Sequence, residues 1–150
     1  MKGLAALTAL VLAAPLSAQA VSDCDWRASA LALVEPWEDN SRTFSNGQTR
    51  LALTDTIEPA AGAFHIVILS PPYDELGGRQ CKVVSLDGSI GFSGVEFGAM
   101  NANYDPSVGL IFDLPVQVFD APSGGFVSNW LNLAVNQATG QIDAWLGGGD

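Results

Sequence analysis

Acyl transfer of the serine-hydrolase kind needs a histidine as general base, and this chain has one histidine, His65. His65 lies among the apolar residues 64–68, a setting that predicts a buried or half-buried structural side chain. Residues 91–95 (GFSGV) match a nucleophile elbow only in part, because the fifth residue is valine and no helix is expected after it. We therefore predict no catalytic residues.

Three carboxylates, Glu35, Glu38 and Asp39, flank Trp37 closely. Such a cluster could bind calcium or supply the paired carboxylates of a glycoside hydrolase, but a solvated acidic turn is the favoured interpretation. The chain has no calcium loop of the D-x-D-x-D-G type, and one histidine with two cysteines is too few ligands for zinc. It also lacks the glycine-rich loops that hold phosphates, so we predict no metal and no cofactor.

Residues 70–80 form the loop with the most varied chemistry. Two prolines stiffen its start, and two glycines near its end permit unusual backbone angles. The loop also contains an aromatic ring, two acids and a base in one short span. Loops on rigid scaffolds often carry function, although most of them only connect strands. The candidate binding residues in this loop are Tyr73, Asp74, Glu75 and Arg79.

Two tryptophans extend the set of candidate binding residues. If Val135 pairs with Ile142, then Asn132 faces Trp145 and Trp130 lies diagonal to it. Both indoles would then leave the face that holds the apolar residues of the strand. Such a pair could receive a sugar ring or a partner protein, or it could be buried under another layer.

The N-terminus has the three regions of a secretory signal peptide. Lys2 supplies the positive start, residues 4–12 form an uncharged apolar run, and Ala18-Gln19-Ala20 is a small-x-small cleavage site. The run is shorter than the ~20 residues that a membrane-spanning helix needs. We predict cleavage before Val21, a single domain over residues 21–150, no transmembrane segment, and a protein that is exported to the periplasm or secreted.

Charge and cysteine content agree with that setting. The chain has 16 acidic and 6 basic residues, and loss of Lys2 takes the formal net charge from −10 to −11. Such a surface repels phosphate backbones, so a nucleic-acid partner is not expected. Cys24 and Cys81 are the only cysteines, and an even count in an exported chain predicts one disulfide.

The remaining pattern indicates an all-β fold. Residues 22–37 predict one short helix with an apolar stripe, ended by Pro36. About eight short strands follow, with an Asn46-Gly47 hairpin turn and a buried central strand over residues 63–69. Pro115 should place its strand at an edge or a bulge. The fold class is an antiparallel sandwich or small barrel.

Several segments together resemble a group of small exported bacterial proteins of unassigned function. The resemblance implies a bacterial periplasmic or secreted setting and no activity. The segments are residues 24–26, 35–37, 42–47, 56–64, 70–81 and 136–140.

The leading hypothesis is an exported, non-catalytic binding or interaction protein of the cell envelope. Its partner would be an envelope protein, a glycan or a small molecule. One alternative is a β-barrel carrier with an apolar cavity lined by Phe112, Leu114 and Val116. The other is a carboxylate-dependent hydrolase, which requires a cleft that gathers the acids around Trp37 with Tyr73 and Asp74.

Overall fold

A computed structural model describes residues 18–147, and within them the alternation of apolar and polar residues produces ten strands in two antiparallel sheets. The predicted signal-peptide residues 1–17 lie outside the described part. The strands are β1 (Ala20–Asp23), β2 (Ser41–Phe44), β3 (Thr49–Asp55), β4 (Phe64–Tyr73), β5 (Arg79–Ser85), β6 (Gly94–Val95), β7 (Asn101–Asp105), β8 (Gly109–Asp120), β9 (Gly125–Val135) and β10 (Ile142–Gly147).

The first sheet has the order β1-β5-β4-β3-β2. Strand β4 is therefore central, as its apolar residues on both faces predict. The Asn46-Gly47 turn is also confirmed, since both residues have positive φ and Phe44 pairs with Thr49.

The second sheet has the order β10-β9-β8-β6, with β7 also paired to β8. The prediction that Pro115 marks an edge or a bulge is wrong, because β8 is an interior strand with an unbroken register to β9. On its other side β8 pairs with β7 up to Asp113 and with β6 from Val116 onward. Pro115 lies in the gap between these two partners, where its missing N–H interrupts no ladder.

The core lies between the two sheets, and the barrel alternative is replaced by a sandwich. Even-numbered residues of β8 and odd-numbered residues of β9 face Leu51, Leu53, Ile66 and Ile68 of the first sheet. The side chains with no exposed surface that fill this layer are Leu51, Ile66, Ile68, Val84, Phe92, Phe112, Leu114, Leu131, Leu133 and Val135.

Strands β1 and β2 are the two edges of the first sheet, so the chain between them must pass over it. Four strand spacings amount to roughly 19 Å. Residues 24–40, named here the crossing segment, make this passage across the outer face. Cys24 anchors the segment at one end through the Cys24–Cys81 disulfide, which confirms the predicted pairing. Val34 N donates to Leu53 O at 3.1 Å farther along.

The predicted N-terminal helix is wrong. Residues 20–23 form strand β1, and the rest of the segment contains two 3-10 turns, Trp26–Ala28 and Ala30–Ala32. Asp25 and Ser29 cap the starts of these turns, accepting from Arg27 N and Leu31 N, and the extended backbone of Ser29 and Leu33 ends them. The expected apolar stripe is only partly packed: Val34 contacts the core, whereas Trp26 and Trp37 are more than half exposed. With β1 added, the strands number ten where about eight are predicted.

The residues just before the predicted cleavage point join the two sheets. Ala18 bridges Trp145, and Gln19 N donates to Ala144 O at 2.9 Å, while Ala20 pairs with Ser85 of β5. Cleavage before Val21 would leave three residues of β1 in place. None of the helical turns in residues 18–147 has the length and apolarity to cross a bilayer.

Candidate functional site

The crossing segment does not close down on the whole of the sheet beneath it, and an open cleft of about 460 Å³ remains. The outer face of β3, β4 and β5 forms its floor. Ala52 pairs with Val67, and Leu69 pairs with Cys81, so these four residues make one continuous apolar patch. Ala52 has the smallest side chain of the four floor residues.

The crossing segment supplies the walls of the cleft. The side chains that line them are mostly small or apolar: Ala28, Ala30, Leu33, Val34 and Trp37, with Asn40 close by. Trp37 is 55% exposed and stands at the opening. The cleft therefore combines an apolar interior with an aromatic side chain at its mouth.

Two charged residues complete the lining, Glu38 and Arg50. Arg50 Nη1 donates to Ser41 Oγ at 2.5 Å, and neither charge forms an ion pair within residues 18–147. A guanidinium has five N–H donors, so Arg50 keeps donors for another acceptor. The mouth thus offers one cation and one anion to the polar end of a molecule held inside.

Beside the cleft, a hydrogen-bond network centred on the buried Arg27 fastens the crossing segment to the sheet. The Arg27 guanidinium is buried and donates to both carboxylate oxygens of Asp25, to Ser22 Oγ and to Gly88 O. It also donates to Ser85 Oγ at 2.8 Å. Through these hydrogen bonds Arg27 holds the pKa of Asp25 below its usual range. A guanidinium satisfied on this many sides is a structural anchor.

His65 lies at the inner end of the same network, completely buried as its apolar neighbours predict. Its Nδ1 is 2.8 Å from Ser85 Oγ, and its Nε2 has no hydrogen-bond partner among residues 18–147. Burial, together with the positive charge of Arg27, lowers the pKa of His65 to about 4. Ser85 also has no exposed surface, so this serine–histidine pair cannot meet a substrate.

The predicted loop residues Tyr73, Asp74, Glu75 and Arg79 lie in one hairpin between β4 and β5. The Asp74 carboxylate accepts from Leu76 N and from Gly78 N, so it organises the turn. Arg79 donates to Gly47 O in the neighbouring hairpin turn. Tyr73 and Glu75 are exposed, and none of the four lines the cleft.

Trp130 and Trp145 have the register that the sequence predicts, with Trp145 opposite Asn132 and Ile142 opposite Val135. Both indoles are half-buried on the outer face of the second sheet. They therefore lie on the opposite side of the sandwich from the cleft.

The structure can be compared with what the two alternative functions, a carboxylate-dependent hydrolase and a β-barrel carrier, each require. Glu38 lines the cleft while Tyr73 and Asp74 do not, so the described residues lack the gathering that a carboxylate-dependent hydrolase requires. No group of three metal-ligating side chains forms within the described range either. Phe112, Leu114 and Val116 are packed in the core, so an apolar ligand would have to bind outside the sandwich.

Sequence reasoning missed the cleft and the Arg27 network. One signal pointed to them: residues 63–69 are apolar on both faces, so something must cover the outer face of the first sheet. The cover is the crossing segment. Its path could not be read from periodicity, because its contacts join residues that are far apart in the chain.

Comparison of the chain with known protein families, with curated proteins and with solved structures finds no match in any of the three, so its function has to be inferred from its own residues.

Proposed function

We propose that this is an exported, non-catalytic binding protein of the cell envelope that holds a small apolar molecule in the cleft under the crossing segment. The cleft itself carries the proposal. Its volume of about 460 Å³ lies within the range of roughly 300–1,000 Å³ that is typical of small-molecule sites.

The chemistry of the lining supports a ligand with an apolar body and one polar end. The floor of Ala52, Val67, Leu69 and Cys81 offers no charged group to the buried part of a ligand. Burial of an apolar molecule against this patch is favourable by about 25 cal/mol per Å² removed from water. Arg50 and Glu38 at the mouth would orient the polar end.

Export is supported by the signal-peptide pattern and by the disulfide. The Cys24–Cys81 bond lies where the crossing segment starts, and Cys81 is part of the cleft floor. Disulfides form and persist outside the reducing cytosol. In an oxidising compartment the disulfide would form and fix one end of the crossing segment beside the cleft.

The test uses N-phenyl-1-naphthylamine, an uncharged apolar dye whose fluorescence rises in apolar surroundings. We expect saturable binding of one dye per chain. Ala52→Phe should abolish it, because the new ring fills the space above the floor. A matched control is Ala134→Phe, since Ala134 is also buried on the outer face of a sheet, but on the other side of the sandwich.

Thermal unfolding of both variants must show that each is folded. If dye binding is absent in the parent protein, or persists unchanged in folded Ala52→Phe, the proposed site is wrong. A second pair of variants tests the charges at the mouth. An anionic dye of similar size should bind more weakly to Arg50→Gln and more tightly to Glu38→Gln than to the parent protein.

A further inference from the structure

The outer face of the second sheet has a composition that its position does not explain. A sheet face turned to solvent normally carries scattered polar side chains. Here it carries four aromatic rings and a proline, with amide, hydroxyl and carboxylate groups between them. The aromatic residues and the proline are Phe119, Phe126, Trp130, Trp145 and Pro115.

Strand register places these rings in a row. Phe119 pairs with Phe126 near the tip of the β8–β9 hairpin, with ring centroids 5.9 Å apart. Trp130 lies four residues along β9 from Phe126, roughly 14 Å at strand rise. Trp145 is the diagonal neighbour of Trp130, about 7–8 Å away. The row therefore runs along β9 and steps over to β10.

Hydrogen-bonding groups fill the intervals of this row. Gln117 pairs with Ser128 between the phenylalanines and Trp130, and Asp113 pairs with Asn132 beyond it. Asn101 Nδ2 donates to Asp113 Oδ2 at 2.8 Å, which fixes the carboxylate at the surface. Amides donate and accept, and carboxylates accept, so the intervals suit a ligand rich in hydroxyl groups.

The charge of this face narrows the choice of partner. The outer face carries the carboxylates of Asp113 and Asp143, and strands β8, β9 and β10 contain no lysine, arginine or histidine. Acidic polymers are therefore repelled. Protein interfaces are also rich in aromatic side chains, but their cores are depleted in aspartate and serine. The polar pairs between the rings, Gln117 with Ser128 and Asp113 with Asn132, therefore favour a hydroxyl-rich ligand over a protein.

We propose that this face, named here the aromatic row, binds an uncharged oligosaccharide chain. The apolar C–H face of a sugar ring stacks on an aromatic ring, whose face carries partial negative charge. Its hydroxyl groups exchange hydrogen bonds with Gln117, Asn132 and Asp113. Because the aromatic rings follow one another along β9 and β10, several sugar rings of one chain can bind in succession. This site is independent of the cleft, which opens on the opposite side of the sandwich.

Isothermal titration calorimetry tests the proposal with the intact protein and four hexasaccharides: cellohexaose, maltohexaose, chitohexaose and hexagalacturonate. We expect at least one of the three uncharged chains to bind and the acidic hexagalacturonate not to bind. Trp130→Ala and Trp145→Ala should each weaken binding by about tenfold or more, as expected for central aromatic anchors.

Trp26→Ala is the matched control, since Trp26 is an exposed tryptophan on the crossing segment. It should leave the affinity unchanged. Phe126→Ala guards against loss of fold, because this ring is 59% exposed at the hairpin tip. It should weaken binding of the hexasaccharide. The proposal is wrong if none of the three uncharged chains binds, or if the folded variants of the aromatic row bind with the affinity of the parent protein. Either result would leave the proposal for the cleft unaffected.

Discussion

At the scale of single residues, the buried pair of Arg27 and His65 is the most consequential feature. Two groups that can both be positive lie on either side of Ser85 Oγ, at 2.8 Å each. A second positive charge beside a buried guanidinium is unfavourable, so the arrangement is stable only while His65 is neutral. The negative charges of Asp25 and, more weakly, Asp55 favour protonation of His65 and raise its pKa.

This arrangement predicts a loss of stability in mild acid. Burial and Arg27 lower the pKa of His65 from 6.5 to about 4. Between these two pH values the unfolded chain binds a proton that the folded chain does not. The contribution of His65 to the free energy of unfolding should therefore be complete above pH 6.5. It should fall by about 3 kcal/mol in total as the pH drops to 4. Urea denaturation across this range measures it.

His65→Gln is the comparison variant for this pH profile, because glutamine is neutral throughout and can still accept a hydrogen bond from Ser85. Its stability should be nearly constant between pH 6.5 and 4. An unchanged slope in the variant would assign the acid sensitivity to other groups. The pKa of Asp25 is held below its usual value of 3.8. Protonation of Asp25 therefore lowers the stability only under more acidic conditions.

Prediction from sequence at this scale succeeded where the environment was local. The buried state of His65 followed from its immediate neighbours, and the disulfide followed from the number of cysteines. The role of Arg27 did not follow, because its partners Ser85 and Gly88 are about sixty residues away in the chain. An arginine in a short polar stretch resembles any solvated arginine until its partners are known.

At the scale of elements, the crossing segment depends on three attachments: the disulfide, the Arg27 network and the bonds to β3. Its own turns are too short to be stable alone. Removal of one attachment should therefore loosen the segment before it loosens the sheets.

We expect the double variant Cys24→Ser, Cys81→Ser to lose about 4 kcal/mol of stability, as a loop of this length implies in the chain-entropy model. Hydrogen exchange provides the more specific measurement. Amides of residues 25–40 should exchange much faster in the variant, while those of β8 and β9 keep their order of protection. Equal acceleration in every strand would show that the crossing segment is not a separate unit.

The strands show how far local pattern can reach. The register of β9 with β10 was predictable, since alternating apolar residues and a short loop leave one arrangement. The helix prediction failed because it relied on the spacing of apolar residues over 22–37 and overlooked Ser29, whose extended backbone ends the first turn and whose side chain caps the second. The cleft could not be predicted, since it is defined by how one element lies over another.

At the scale of the whole molecule, both sheets contribute to a single core. Ile68 in the first sheet and Leu131 in the second have no exposed surface. Truncation of either to alanine should cost about 2–5 kcal/mol and shift one cooperative transition. Leu31→Ala is the control, because Leu31 is 99% exposed and should change stability little. Two separable transitions in denaturant would contradict the single domain.

The distribution of charge gives the sandwich two different sides. The basic residues that follow the predicted signal peptide all belong to the first sheet and the crossing segment. Packed sheets lie about 10 Å apart, which exceeds the Debye length of about 8 Å at physiological ionic strength. An approaching surface therefore senses mainly the nearer sheet. A positively charged support should adsorb this protein by its second sheet, with the cleft facing the solution and the aromatic row hidden.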